Sequence, residues 1–200
     1  MQQERIEVLR QVKMEAEHFE VGDQISIELE GYGEFTATAH KVYVDNAALF
    51  IFDHCVTERP MNKNGSNKGG FYESDLCRWM NEELIKAFPE KYRANMAAFD
   101  MDGKIMLRLP TRSEMFGQDD CSKYYEYESD GNGEQLELMK DRKNRICMSP
   151  DDEYCWYWLM NARSVVSSTD FAYVSSNGSA LYAGASTSFG VRPAFVIEDP

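Results

Sequence analysis

The sequence predicts an α+β domain, with helices packed beside a mixed or antiparallel sheet. Three observations predict it. Apolar and polar residues alternate in short runs broken by Gly, Asn and Asp, which is a hairpin pattern. A 3.6-residue apolar period is clearest in residues 2–19 and 75–88. An Asn-Gly pair at Asn177 and Gly178 joins two short strand-like runs near the end, where an apolar run over 191–197 closes the chain.

Ile6, Leu9, Val12 and Met14 make residues 2–19 an amphipathic helix, which packs on the domain or offers a face for oligomerisation. Residues 25–29 and 35–40 alternate around a turn at Gly31 and Gly33, giving a first hairpin. Residues 41–44 and 47–52 form a second around Asp45 and Asn46. Gly and Asn make 61–70 a loop. Ser74 then caps a helix over 75–88, with Leu76, Trp79, Met80, Leu84 and Phe88 on one face and Pro89 as its stop. Residues 90–99 suggest a short helix and 105–109 a strand, followed by a cap at Thr111 or Ser113. The polar stretch 118–144 is an irregular insertion with a helix over 134–141. Residues 155–159 form a buried strand, and 172–174 and 179–182 are strands joined at the Asn-Gly turn. No repeat or linker divides the chain, so 1–21 is a helical extension and 22–200 one domain.

The net charge of −13 argues against nucleic acid as a partner, because phosphate attraction drives such binding. No apolar run approaches the ~18 residues of a membrane span. Met1 leads into polar residues rather than an apolar leader, so the expected location is the cytoplasm, with export only on a particle or by another route. Five cysteines, at 55, 77, 121, 147 and 155, form no CxxC pair, and His18, His40 and His54 do not fall at zinc spacing. Buried, reduced thiols with no metal and no cofactor are the expectation. Acidic residues 151–153 beside Cys147 and Cys155 oppose thiolate formation. His54 beside Asp53 reads as structural, and Asp100, Asp102, Asp119 and Asp120 as solvated loop acids rather than calcium ligands. No catalytic residue is assigned.

The last forty residues are unlike the rest. Between Asn161 and Gly190 the chain is rich in Ser, Ala, Gly, Asn and Tyr, and lacks Lys, Glu, Gln, Met and Trp. Apolar segments flank this stretch on both sides. It reads as a display surface held between fixed posts.

Several segments together resemble bacterial and phage proteins of the C-type-lectin fold, in the branch related to the formylglycine-generating enzyme. They are Ala48-Leu-Phe-Ile-Phe52, Ser74-Asp-Leu-Cys-Arg-Trp-Met-Asn81, Leu109-Pro-Thr-Arg-Ser-Glu114, Trp156-Tyr-Trp-Leu159 and Gly190-Val-Arg-Pro-Ala-Phe195. The C-terminus is similar to the variable region of proteins diversified by retroelements. There a reverse transcriptase copies a template repeat and randomises its adenines. Asn codons altered in this way never yield Lys, Glu, Gln, Met or Trp, the five types missing here. The resemblance implies a non-enzymatic receptor for a protein or glycan ligand, with a variable region over about 156–195. The alternatives are a static cell-envelope binding module of the same fold and a formylglycine-generating-type oxidoreductase.

On this reading the ligand contacts are Val165, Val166, Ser168, Thr169, Asp170, Tyr173, Ser175, Ser176, Ser179, Leu181, Tyr182, Thr187 and Phe189. Tyr173, Tyr182 and Phe189 are the expected hot spots, because aromatic anchors carry most interface energy. Trp156, Trp158, Leu159, Val191, Arg192, Pro193 and Phe195 form the scaffold below, with Phe171 and Val174 facing inward.

Overall fold

The computed structural model describes residues 18–117, 133–163 and 166–198. The expected helix over 2–19, most of the insertion, Asp119, Asp120, Cys121 and Val165 lie outside the described residues.

The strands in chain order are β1 (Gln24–Leu29), β2 (Gly33–Val42), β3 (Ala48–Phe52), β4 (Thr57–Pro60), β5 (Met96–Ala97), β6 (Cys147–Met148), β7 (Tyr154–Cys155), β8 (Tyr157–Ala162), β9 (Asp170–Val174), β10 (Ala180–Gly184), β11 (Ser188–Val191) and β12 (Ala194–Ile197). They form two five-stranded sheets, ordered β1-β2-β3-β12-β5 and β10-β9-β8-β11-β4, and a ribbon of β6 and β7. The pairing is antiparallel except where β11 meets β8. The architecture is mostly β with a few short helices, an α+β arrangement.

Side-chain parity explains how these strands fill two cores. On β3, Phe50 and Phe52 enter one cluster while Leu49 and Ile51 enter the other. Trp158 and Tyr157 divide in the same way, as do Phe171 and Ala172, and Phe195 and Val196. Strands buried on both faces need apolar residues at every position, which is why 48–52 and 194–197 read as unbroken apolar runs. Each fully buried large side chain contributes about 1.5–3 kcal/mol.

The first two hairpins form as expected, with Ile27 opposite Phe35 and Val42 opposite Ala48. Ser74 accepts the Cys77 amide and starts α1 (Asp75–Trp79), which continues through a π turn (Met80–Leu84) into α2 (Ile85–Ala87). Several expectations need correction. The strand over 191–197 breaks at Arg192 and Pro193 into the end of β11 and β12, which lie in different sheets, and the strand over 155–159 breaks at Trp156 between β7 and β8. The helix over 90–99 stops early: α3 (Glu90–Arg93) ends and β5 pairs with β12. The helix over 134–141 is instead a 3-10 turn (Glu137–Lys140), after α4 (Arg112–Phe116) and before α5 (Arg142–Arg145). Residues 105–109 make only one bridge, Arg108 to Ala194, rather than a strand. The reason is Asn81, whose carboxamide takes the amides of Met106 (2.8 Å) and Leu107 (2.9 Å) and donates to Leu107 O (2.8 Å). One side chain thus satisfies backbone groups that a neighbouring strand would otherwise satisfy.

Candidate functional site

The C-terminal sheet builds an aromatic face from alternation. In extended chain, residues two apart share a side. Cys155 and Tyr157 point inward, so Tyr154 and Trp156 point outward, 68% and 46% exposed. At Trp158 the same side of the sheet turns into the core, and its indole donates to Arg59 O at 2.9 Å. Tyr173 lies opposite Trp158 in register, and Leu181 opposite Tyr173. Trp156 stacks on Tyr173 with centroids 5.7 Å apart and meets Phe189 edge-on at 5.4 Å. Tyr173 and Phe189 are 4.6 Å apart, and Phe189 and Trp158 4.7 Å. The result is an aromatic block whose outer surface is Trp156, continued by Leu181.

Loops on either side are fixed by hydrogen bonds. Asn67 donates its amide to Ser168 O and its carboxamide to Ser167 O (2.8 Å), so the Gly- and Asn-rich loop holds the start of the Ser- and Ala-rich stretch. Asn62 and Thr169 both bond the backbone of Ala185. Ser175 closes the Asn-Gly turn, donating to Asn177 Oδ1 at 2.7 Å. Gly178, at φ +76°, rests so close to Arg142 O that a Cβ would sit 3.0 Å away.

The expected contact residues divide accordingly. Val166, Ser168, Thr169, Leu181, Tyr182 and Thr187 are exposed, and Asp170, Ser176 and Ser179 half-buried. Tyr173 and Phe189, expected as hot spots, are only 7% and 8% exposed, because they form the floor under Trp156. Ser175 is buried and occupied by its turn. Trp156, expected beneath the site, is instead half-exposed on top of it. Leu181 and Tyr182 project to opposite sides of the edge strand, Tyr182 lying under the Arg163 guanidinium at 4.2 Å. The remaining scaffold residues, Trp158, Leu159, Val191, Arg192, Pro193 and Phe195, are buried, as are Phe171 and Val174.

A second constellation was invisible in the sequence. Cys147 and Cys155 face each other across the β6–β7 ribbon, and Cys55 comes down from the segment after β3. Cys55 Sγ lies 3.3 Å from Cys147 Sγ and 3.1 Å from Cys155 Sγ. All three sulfurs fall within 4.8 Å of one another, and all three residues are buried. They are separated by 92 and 100 positions in the chain, so no spacing rule could have found them. Beside them the buried Arg192 donates to Phe52 O (2.6 Å), Asn144 O (3.3 Å) and the Tyr157 hydroxyl (3.1 Å).

The electrostatics correct the expectation that acidic neighbours oppose a thiolate. Burial pushes the Cys147 thiol up, but hydrogen bonds from Cys155 and Cys55 and the charge of Arg192 outweigh it and hold it well below the usual range. Burial and its bonds to the other two thiols push Cys55 up. The hydrogen bond to Cys147 is the main reason that Cys155 is pushed up to about 12.

Other groups are already committed. Arg108 and Glu114 form a buried ion pair at the wall of the depression between Tyr43 and Tyr72. Asp100 accepts the amides of Lys104 and Ile105, and His54 pairs with Asp152 at 3.8 Å on the surface rather than with Asp53.

The chain belongs to a family described as a domain of unknown function, DUF6273, whose model matches residues 45–199. The match includes the aromatic face and the three clustered cysteines and leaves out β1 and β2. No curated protein and no solved structure is matched by the chain. Among the described residues, no helix is long and apolar enough to cross a membrane.

Proposed function

We propose that this protein is a non-enzymatic, receptor-type binding protein with a C-type-lectin-like fold, which recognises a protein or glycan ligand through its C-terminal face. We further propose that a retroelement diversifies that face. One observation carries the reading. The exposed side chains of the stretch sit on strands and loops whose backbone is bonded elsewhere, above a floor of Trp158, Tyr173 and Phe189. Val166, Ser168, Thr169, Leu181, Tyr182 and Thr187 can therefore change without opening the core, as a repertoire requires. Trp156 supplies a rigid, half-exposed contact beside them, the side-chain type enriched at hot spots.

A thiol oxidoreductase is the less favoured reading, because Cys147, the thiol most easily ionised, is 0% exposed and out of a substrate's reach. The test is binding of the full chain to a glycan array and to arrayed bacterial surface proteins. A Val166→Ser, Leu181→Ser, Tyr182→Ser variant, altered only at exposed positions, should lose the wild-type signals and keep its melting temperature. Signals that survive in that variant place the binding surface elsewhere and defeat the reading.

A further inference from the structure

We infer that Cys55, Cys147 and Cys155 form a three-thiolate site for a soft d10 metal ion, with Zn(II) the ion whose charge best matches the surroundings. This goes beyond the binding face and does not depend on it.

Three arguments carry the inference. The first is donor geometry. Zinc–sulfur bonds of about 2.3 Å place tetrahedral ligand sulfurs about 3.8 Å apart. The three sulfurs, within 4.8 Å of one another with two gaps of 3.1 and 3.3 Å, reach that spacing by small side-chain rotations. Soft thiolates select Zn(II) and Cu(I) over the hard cations. The fourth tetrahedral corner of a zinc ion would be completed by a small exchangeable ligand, the pattern of sites with three protein donors.

The second is charge. Arg192 is 3% exposed and makes no direct ion pair among the described residues, the Asp53 carboxylate acting on it only from beyond contact distance. A buried cation with no anion in direct contact is costly. Three thiolates around a divalent ion carry one net negative charge, which cancels the guanidinium. Around Cu(I) they carry two, leaving one uncompensated.

The third is how the site is held. The ribbon fixes two of the cysteines by direct cross-strand pairing. Gly190 makes room for the third: a Cβ there would lie 2.5 Å from Cys55 Sγ. The Cys55 amide bonds Met148 O at 2.9 Å, tying its segment to the same ribbon. An ion at this point joins the ribbon to the segment between β3 and β4, which rests against Gly190 on the strand that carries Phe189. Binding is a ligand exchange without redox change: each thiol gives up its proton to solvent as its sulfur bonds the metal.

The experiment uses the reduced full chain, stripped with chelator and titrated without oxygen with Zn(II), with Co(II) as a spectroscopic stand-in, and separately with Cu(I). The expected result is about one equivalent bound per chain, with thiolate-to-cobalt charge-transfer absorption and release of roughly two to three protons on zinc addition. Cys55→Ser, Cys147→Ser and Cys155→Ser should each abolish the absorption, whereas Cys77→Ser, at a buried cysteine outside the cluster, should keep it. Circular dichroism and a parallel set of alanine variants separate loss of ligand from loss of fold, and the wild-type titration and proton count stand without any variant. Uptake of Cu(I) but not Zn(II), with the same three-cysteine dependence, supports the site and assigns the monovalent ion. A wild-type chain that takes up none of these ions, or an absorption that survives Cys55→Ser, overturns the inference.

Discussion

Replacing His40 with leucine should flatten the acid side of the stability profile. His40 sits on β2, 5% exposed, and neither ring nitrogen has a hydrogen-bond partner among the described residues. Burial, and then the positive charge of Arg192, lower its pKa from 6.5 to about 3. The folded value lies below the unfolded one, so on acidification the unfolded chain takes up the proton first. The contribution is fully present above about pH 6.5 and is lost as the pH falls toward about 3. Linkage gives a loss of roughly 2 kcal/mol between pH 7 and pH 5, rising to about 4 kcal/mol near pH 3. Leucine keeps an apolar side chain of similar length and cannot titrate. The assay is urea unfolding followed by tryptophan fluorescence at pH 7 and pH 5, for both proteins. Carboxylate contributions are shared and cancel in the difference. Wild type should lose about 2 kcal/mol more than His40→Leu over that interval. Equal losses would show that the imidazole is solvated or paired, and would refute the argument.

Three further outcomes follow from the packing. Glu114→Ala removes the partner of the buried Arg108 and the reciprocal half of the capping box at Thr111, so it should cost about 3–5 kcal/mol in chemical denaturation. Although burial pushes the Glu114 carboxyl up, Arg108 and the Thr111 donors hold it below the usual value; its stabilisation is present above about pH 4 and is lost on further acidification. Gly190→Ala puts a Cβ 2.5 Å from Cys55 Sγ and 3.0 Å from Trp156 O, and should destabilise by about 1–3 kcal/mol by overpacking, read as a lower melting temperature. Leu181→Ser and Thr187→Tyr, at exposed positions, should each change unfolding free energy by under about 0.5 kcal/mol.

Hairpins were the legible part of the fold, because their signal is local. The Gly31–Gly33 turn and the Asn-Gly turn set the register of β1–β2 and β9–β10 without reference to the rest of the chain. The caps at Ser74 and Thr111 were legible for the same reason. Residues 105–109 were not, since their polar groups are satisfied by Asn81, a side chain 25 and 26 positions away. The parallel approach of β11 to β8 and the insertion of β12 between β3 and β5 leave no local mark either. Within the candidate site, composition marked the displayed stretch but could not say which rings lie inside. Tyr173 and Phe189 differ from Trp156 only in the side of the sheet they meet and in what covers them. The thiol trio assembles from three separate segments, and becomes visible only when β6 and β7 are paired and Gly190 lets Cys55 approach.

The DNA flanking the gene gives the most direct test of a diversified binding face. A diversified face requires a near-copy of the codons for residues 156–195, mismatched only at adenines, beside a reverse-transcriptase gene. The mismatches should fall in codons for exposed residues such as Val166, Ser168, Thr169, Leu181, Tyr182 and Thr187, and spare Trp158, Leu159 and Val191. A locus without such a repeat, or one whose mismatches fall in the codons of the buried scaffold, contradicts it.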